Sequence, residues 1–301
     1  MDMSIVGLDE RNTSMFCGLL LQVVEIRSIS QYYAFGFNLL PEASSKIQSI
    51  YDCMITNKNY SKLPTSNGIT FSMFFKPKVL NKLIHVTKGK KGFDNERTPD
   101  GFLKVQTSFW NPTIPEVDSF LLKNKTNDRI ESMFNSDIVV LLIDSSLFLG
   151  DSKGDISNEA IRQNNAMKTV VDGLLHYRSK KRIRNAIYPI MFFINADGTC
   201  DEIKQRFLAD NRFDYNERES QKIGNELMKT YCSGILSSLK TASKLKLPVR
   251  RIQYYFSWID RAHSLSDEKT LKVRLDRNGF SNIFSLHMYD AFLDYIDQVC
   301  I

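Results

Sequence analysis

The sequence has few cysteines and histidines, and none of them has the spacing of a metal site or a disulfide framework. Its five cysteines lie far apart without a C-x-x-C pair, and its four histidines form no H-x-x-x-H or H-E-x-x-H pattern. These spacings argue against a zinc protein and against a disulfide-stapled domain. Because scattered, unpaired thiols are typical of a reducing compartment, we expect a cytoplasmic protein without a bound metal.

The chain also lacks a long apolar run. Charged residues interrupt its first positions, which argues against a signal peptide, and no later stretch is long enough to span a membrane. With 43% hydrophobic and 25% charged residues, the 301-residue chain has the composition of a soluble globular protein. Since no internal repeat or sharp boundary divides it, we expect a single domain over residues 1–301.

Apolar runs that alternate with helical patterns predict an α/β fold. Residues 138–143 (IVVLLI) and 188–194 (YPIMFFI) are continuous apolar runs, typical of parallel strands that are buried on both faces. Between them, residues 158–177 repeat apolar side chains at helical spacing. We therefore expect a doubly wound, mainly parallel sheet with helices on both faces.

The other predicted elements fit the same plan. A strand, a loop and a helix occupy the first 23 residues. Further strands are predicted at 69–75, 102–110 and 251–256, and further helices at 116–134, 201–210, 217–244 and 282–299. We also expect a strand and a helix inserted after the first helix, over residues 31–57, and a long lysine- and glycine-rich loop over residues 87–101.

The first strand and helix enclose a segment with the outline of a phosphate-binding loop. In the motif G-x-x-x-x-G-K-[ST], backbone N–H groups and a lysine hold phosphates. Here Gly7 and Ser14 keep the first and last positions, whereas Asn12 replaces the second glycine and Thr13 replaces the lysine. Because asparagine tolerates a left-handed backbone, we expect a turn at Asn12 in a loop that has lost its cation.

In its order of elements the chain resembles a Ras-like G domain of the P-loop GTPase superfamily. Within that class, the run from residue 134 to 145 is similar to Rag/Gtr-type GTPases. The resemblance implies a magnesium-binding threonine of switch I, which corresponds to Thr65, although a turn after Pro64 explains this residue equally well. It also implies that Asn111 stands in place of the switch II aspartate.

The resemblance further assigns the guanine-reading motif N-K-x-D to the segment that begins at Asn195. Asn195 is kept, the lysine is Ala196, and Asp197 lies one position too early to replace the aspartate. The final serine motif of the family corresponds to Ser257, for which a turn after a strand is an equal explanation.

Three of these motifs, namely the phosphate-binding loop, switch II and the guanine-reading motif, have lost the residue that carries their chemistry. GTP hydrolysis relies on charge neutralisation by a lysine and a metal ion, so the resemblance implies a fold kept without the reaction. We therefore expect a non-catalytic pseudo-GTPase without a cofactor. It would act as a protein-binding or scaffold subunit in a complex with other proteins.

Two alternatives remain open. In the first, the protein is a slow NTPase that binds GTP or GDP with magnesium, and Lys90 or Lys91 replaces the missing cation. In the second, it associates with nucleic acid through a basic patch. The two basic clusters, which are also explained as solvated faces, are Lys88, Lys90 and Lys91, and Arg178, Lys180, Lys181, Arg182 and Arg184.

A hydrolase has weaker support. The segment GDSKG at residues 150–154 matches the nucleophile motif G-x-S-x-G, which needs a strand directly before it. Because residues 145–149 separate it from the preceding strand, we interpret it as a polar loop.

Overall fold

A single seven-stranded sheet organises the part of the chain that the computed structural model describes. The described residues are 1–29, 36–38, 45–46, 49–50, 53, 66–75, 103–123, 127–149, 155–196, 217–257 and 286–300. The strands are β1 Asp2–Val6, β2 Gly36–Asn38, β3 Thr70–Phe75, β4 Leu103–Trp110, β5 Ile138–Asp144, β6 Tyr188–Ile194 and β7 Gln253–Phe256.

The strands lie side by side in the order β2-β3-β4-β1-β5-β6-β7. From β4 to β7 all neighbours are parallel, whereas β2 and β3 add an antiparallel pair at one side of the sheet. The carboxyl ends of five strands therefore meet at one edge, which we call the carboxyl edge. The opposite edge is the amino edge.

Helices cover both faces of this sheet. In the described residues they are α1 Glu10–Ile29, α2 Ile114–Lys123, α3 Asp128–Asn135, α4 Asn158–Lys180, α5 Glu217–Tyr231, α6 Ser233–Thr241 and α7 Leu286–Val299. Alternate side chains of β5 enter two separate cores, because successive residues of a strand point to opposite faces. Leu141 and Ile143 pack with helices α2 to α6, and Val140 and Leu142 pack mainly with α1 and α7.

This architecture confirms the expected α/β class with a mainly parallel sheet. Each predicted strand in the described residues is present to within two residues at either end, apart from the strand of the 31–57 insertion, of which only β2 is described. The helix predicted at 158–177 continues to Lys180. Among the helices that the structure describes, none combines the length and hydropathy of a membrane span.

Two predicted helices are wrong because each is a pair of shorter helices. The prediction at 116–134 missed the start of α3 at Asn127, whose side chain accepts a hydrogen bond from the Ile130 backbone N–H at 2.7 Å. Asparagine is a strong helix-capping residue, so Asn127 begins a separate helix here. The prediction at 217–244 is interrupted at Cys232 (φ −127°), where α6 begins without a side-chain cap.

Several predictions lie outside the described residues. These are the loop at 87–101, the helix at 201–210 and the motif at 150–154, together with Thr65, Lys88, Lys90, Lys91 and Asp197. Of the helix predicted within the 31–57 insertion, residues 45–46, 49–50 and 53 are described, and they are helical.

Candidate functional site

The candidate site lies between the carboxyl ends of β1 and β5. After β1 the chain continues to the β2–β4 side of the sheet, and after β5 it continues to β6 on the other side. Doubly wound proteins bind ligands in the crevice at such a switch point. Gly7 follows β1, Asn111 follows β4, Asn195 follows β6 and Ser257 follows β7, so the topology brings these predicted positions to one edge.

The loop after β1 is shorter than a phosphate-binding loop. Helix α1 begins at Glu10, so Asn12, Thr13 and Ser14 belong to its first turns. The Asp9 carboxylate caps the helix by accepting a hydrogen bond from the Asn12 backbone N–H at 2.9 Å. The expected left-handed turn at Asn12 is therefore wrong, because the cap starts the helix before this residue.

Thr13, in the position of the P-loop lysine, fills the space beside the shortened loop. Its side chain is 0% exposed, and Oγ1 donates to the Asp9 carbonyl at 2.8 Å. The Asn111 side-chain Nδ2 donates to Thr13 Oγ1 at 2.8 Å and to the Gly7 carbonyl at 2.9 Å. A Cβ atom at Gly7 would overlap Thr13 Oγ1. The side chains of Thr13 and Asn111 thus fix this loop by hydrogen bonds.

The residues in the magnesium-binding positions of the resemblance do not fit that ion. Ser14 Oγ accepts a hydrogen bond from the Ser66 backbone N–H at 3.0 Å, so its oxygen already has a protein partner. The Asn111 Oδ1 atom is buried and has no hydrogen-bond partner among the described residues, but it is a neutral amide oxygen. Magnesium sites in proteins normally use one or two carboxylates, and Asn111 supplies none.

Asp144, at the end of β5, links the two sides of the crevice. Its Oδ2 accepts from the Asn12 side-chain Nδ2 at 2.8 Å, and its Oδ1 accepts from the Asn195 side-chain Nδ2 at 3.1 Å. Ser146 adds its backbone N–H at 3.0 Å and its hydroxyl at 2.6 Å. No motif in the sequence identified Asp144 as a site residue, although its position at the end of the continuous apolar run at residues 138–143 was a signal for it.

The backbone of Asp144 is itself fixed by a buried glutamine. Gln163 of α4 accepts from the Asp144 backbone N–H through Oε1 at 2.8 Å and donates to its carbonyl through Nε2 at 3.0 Å. Such paired bonds orient the carboxylate, because the main chain cannot rotate without breaking both. Gln163 thus holds Asp144 towards Asn12 through the main chain and does not use its carboxylate oxygens.

Asn195 and Ser257 both have structural contacts at this edge. Asn195 has φ 53°, the left-handed conformation that asparagine adopts more readily than most residues. Ser257 is buried, and its Oγ forms a hydrogen bond with the Tyr289 hydroxyl at 2.8 Å. Burial raises the pKa of Tyr289 above its ordinary value, so this hydroxyl stays neutral. Ser257 therefore ties β7 to α7.

Two described cations near the crevice already have partners. Arg129 of α3, which sequence reasoning missed, donates through Nη2 to the Asn111 carbonyl at 2.7 Å, and its Nη1 lies 3.7 Å from the Glu116 carboxylate. Arg11 lies 3.6 Å from the Asp9 carboxylate. Burial alone would raise the pKa of Glu116, but hydrogen bonds from Thr113 and the charge of Arg129 outweigh it and lower the pKa.

The second basic cluster lies at the amino edge, on the opposite side of the molecule, and one of its members is not on the surface. Arg178 is 0% exposed and donates to the carbonyls of Ser136 at 2.6 Å and Asn185 at 3.1 Å. It also lies 3.3 Å from the Asp137 carboxylate. The prediction that Arg178 contributes to an anion patch is therefore wrong, whereas Lys180, Lys181, Arg182 and Arg184 are exposed.

Comparison of the sequence with protein-family models gives no match, and comparison with curated proteins gives none either. The likeness to a G domain therefore depends on the order of elements and on the motif positions described above.

Replacing Gly7 by alanine should destabilise the protein by on the order of 2 kcal/mol. The new Cβ would displace Thr13 Oγ1 and break its hydrogen bonds to Asp9 and Asn111. Urea unfolding measures the loss. In a Thr13→Ala background the same substitution should cost clearly less, and an equal cost in both backgrounds would contradict the packing described here.

Replacing Arg178 by methionine should destabilise the protein by roughly 3 kcal/mol, because the Asp137 carboxylate and two carbonyls lose their buried partner. Urea unfolding of Arg184→Met, an exposed member of the same cluster, provides the control and should change stability by less than about 0.5 kcal/mol. Similar losses for the two variants would show that Arg178 is not the structural member of the cluster.

Proposed function

We propose that this protein is a non-catalytic, GTPase-like protein that acts by binding other proteins, as a scaffold or subunit of a complex. The observation that carries the proposal is the bond from Asn12 Nδ2 to Asp144 Oδ2 at 2.8 Å, which closes the crevice where a doubly wound sheet binds its ligand. The crevice is occupied by the protein's own polar groups.

Charge supports this interpretation. A triphosphate needs cations and N–H groups that face its oxygens. In the described residues around the first turn of α1, Asp9 and Asp144 place carboxylates at the crevice, and Arg11 is already paired with Asp9. A phosphate that entered here would have to separate Asn12 from Asp144 and would then face a carboxylate. Both effects oppose nucleotide binding.

The two alternatives receive less support. The slow NTPase, with GTP or GDP and magnesium as cofactor, depends on Lys90 or Lys91, which lie outside the described residues. The nucleic-acid interpretation loses Arg178 to the interior, so only Lys180, Lys181, Arg182 and Arg184 of that cluster are exposed.

The contact that closes the crevice can be measured with a double-mutant cycle. Asn12→Ala and Asp144→Ala should each destabilise the protein, and the cycle should give a coupling energy of about 1–2 kcal/mol, as for a hydrogen bond to a charged group. Asn12→Ala combined with Ser257→Ala is the matched control, because these side chains share no described contact, and its coupling should be near zero. Near-zero coupling between Asn12 and Asp144 would mean that the crevice is open in solution.

Nucleotide binding tests the proposal directly. Isothermal titration with GTP, GDP and ATP, each with magnesium, should show no binding, and the melting temperature should not rise with added nucleotide. A nucleotide at about 100 times its Kd would stabilise the fold by about 2.7 kcal/mol, which a melting curve detects readily. Tight binding with turnover would reject the proposal, and its loss in a Lys90→Ala, Lys91→Ala variant would establish the NTPase alternative.

The protein-binding part of the proposal needs its own readout. The tagged chain purified from its native host should elute in a stoichiometric complex with another protein. Elution as a free monomer at native expression level would contradict the scaffold role, whatever the nucleotide result.

A further inference from the structure

Two loops at the amino edge carry many cations and no acidic residue. The first connects α4 to β6, and residues 173–196 around it contain five lysines and arginines without an aspartate or glutamate. The second connects α6 to β7, and residues 227–257 around it contain six lysines and arginines, again without an acid. The net charge of +6 is therefore concentrated here.

The two loops form one continuous surface. The Arg184 Nη1 group donates to the Lys246 carbonyl at 3.3 Å, the Ile187 backbone N–H donates to the Pro248 carbonyl at 2.8 Å, and the Arg250 backbone N–H donates to the Ile187 carbonyl at 2.8 Å. We call the exposed cations of this surface the basic edge. They are Arg182, Arg184, Lys244, Lys246, Arg250 and Arg251.

The cations of the basic edge are not neutralised by neighbouring acids in the described part of the chain. None of its six members has a described carboxylate within 4.0 Å, whereas the adjacent Lys181 lies 3.7 Å from Glu131. Solvated faces of proteins usually mix both signs of charge. A single-sign surface of this kind attracts anions.

The backbone gives a second, independent indication. Two residues adopt the left-handed conformation: Arg182 (φ 56°), two residues after the end of α4, and Lys246 (φ 55°), at the end of the turns that follow α6. In each case the next residue closes the turn, with Ile183 N–H bonded to the Arg178 carbonyl at 2.9 Å and Leu247 N–H to the Ala242 carbonyl at 3.0 Å. Glycine is the usual residue there, because a side chain costs about 1 kcal/mol. Two adjacent turns thus have a long, positively charged side chain at a position where glycine would make the fold more stable.

One apolar side chain projects among these cations. Leu245, between Lys244 and Lys246, is 38% exposed, whereas Leu247 is buried. The loop residues 181–187 and 242–252 contain no aromatic side chain on which a base could stack. Cations around an exposed leucine are typical of loops that lie on a lipid surface, with the leucine at the acyl boundary.

We propose that the basic edge binds the phosphate and carboxylate headgroups of an anionic membrane surface, with Leu245 entering the interface. The six cations attract the anionic headgroups. Leu245 adds an apolar contact with the acyl chains, for which a nucleic acid offers no equivalent. The binding is peripheral, and it uses the edge opposite the closed crevice.

Vesicle co-sedimentation of the full chain tests this proposal. The probes are vesicles of phosphatidylcholine alone and of equal parts phosphatidylcholine and phosphatidylserine. The variant Arg182→Gly, Lys246→Gly removes two cations at positions that suit glycine, so its melting temperature should be unchanged or higher. Its affinity for the phosphatidylserine vesicles should fall by about 25-fold, since each cation near the surface contributes about fivefold.

A matched control removes two exposed cations elsewhere. Arg218→Gln, Lys222→Gln on α5 changes the net charge equally and should leave vesicle affinity within about twofold. Leu245→Ser keeps the charge and should weaken vesicle binding by several-fold, because it removes the apolar contact.

The proposal is overturned if phosphatidylserine vesicles do not bind more tightly than phosphatidylcholine vesicles, or if the glycine variant binds as well as the control. It is also overturned if Leu245→Ser has no effect. Duplex DNA is the competing probe: binding to DNA that the glycine variant loses and Leu245→Ser retains, with no vesicle binding, assigns the basic edge to nucleic acid instead.

Discussion

The bond between Asn12 and Asp144 joins the two halves of the sheet at the point where their connections diverge. A parallel α/β sheet leaves a crevice there, because the helices that follow neighbouring strands turn to opposite sides. In this protein the crevice contains a short amide–carboxylate contact, and Asn195 extends it to the end of β6. The side chains of Asn12, Asp144 and Asn195 therefore satisfy one another's hydrogen-bonding groups across the crevice.

This closure depends on residues at several levels of the structure. The cap at Asp9 starts α1 early enough to aim Asn12 at Asp144, and Gln163 holds the backbone that presents the carboxylate. Thr13 packs into the turn that only glycine at position 7 leaves open. Because these contacts share partners, loss of one weakens the others, and the site behaves as a unit.

The sequence predicted the strands well because continuous apolar runs such as residues 138–143 have few alternatives to a buried parallel strand. It predicted helix boundaries poorly, because caps such as Asn127 and Asp9 act through single hydrogen bonds that an apolar pattern does not register. Arg178 lies three and four residues after Leu175 and Leu174, a spacing that places it on the buried face of the helix. The prediction nevertheless assigned it to the surface because its side chain is charged. The partners of Asp144 come from distant segments, so spacing alone could not find them.

The two edges of the sheet differ in how their polar groups are satisfied, and this difference bears on where recognition occurs. At the carboxyl edge, amides, hydroxyls and carboxylates meet one another, and a ligand would have to replace contacts already made. At the amino edge, no carboxylate of the described residues forms an ion pair with a cation of the basic edge. Arg182 and Lys246 there have a strained, left-handed backbone. Strain that persists where glycine would relieve it is usually kept for function. At the amino edge, therefore, an anionic surface would compete less with the protein's own carboxylates for the cations than it would at the carboxyl edge.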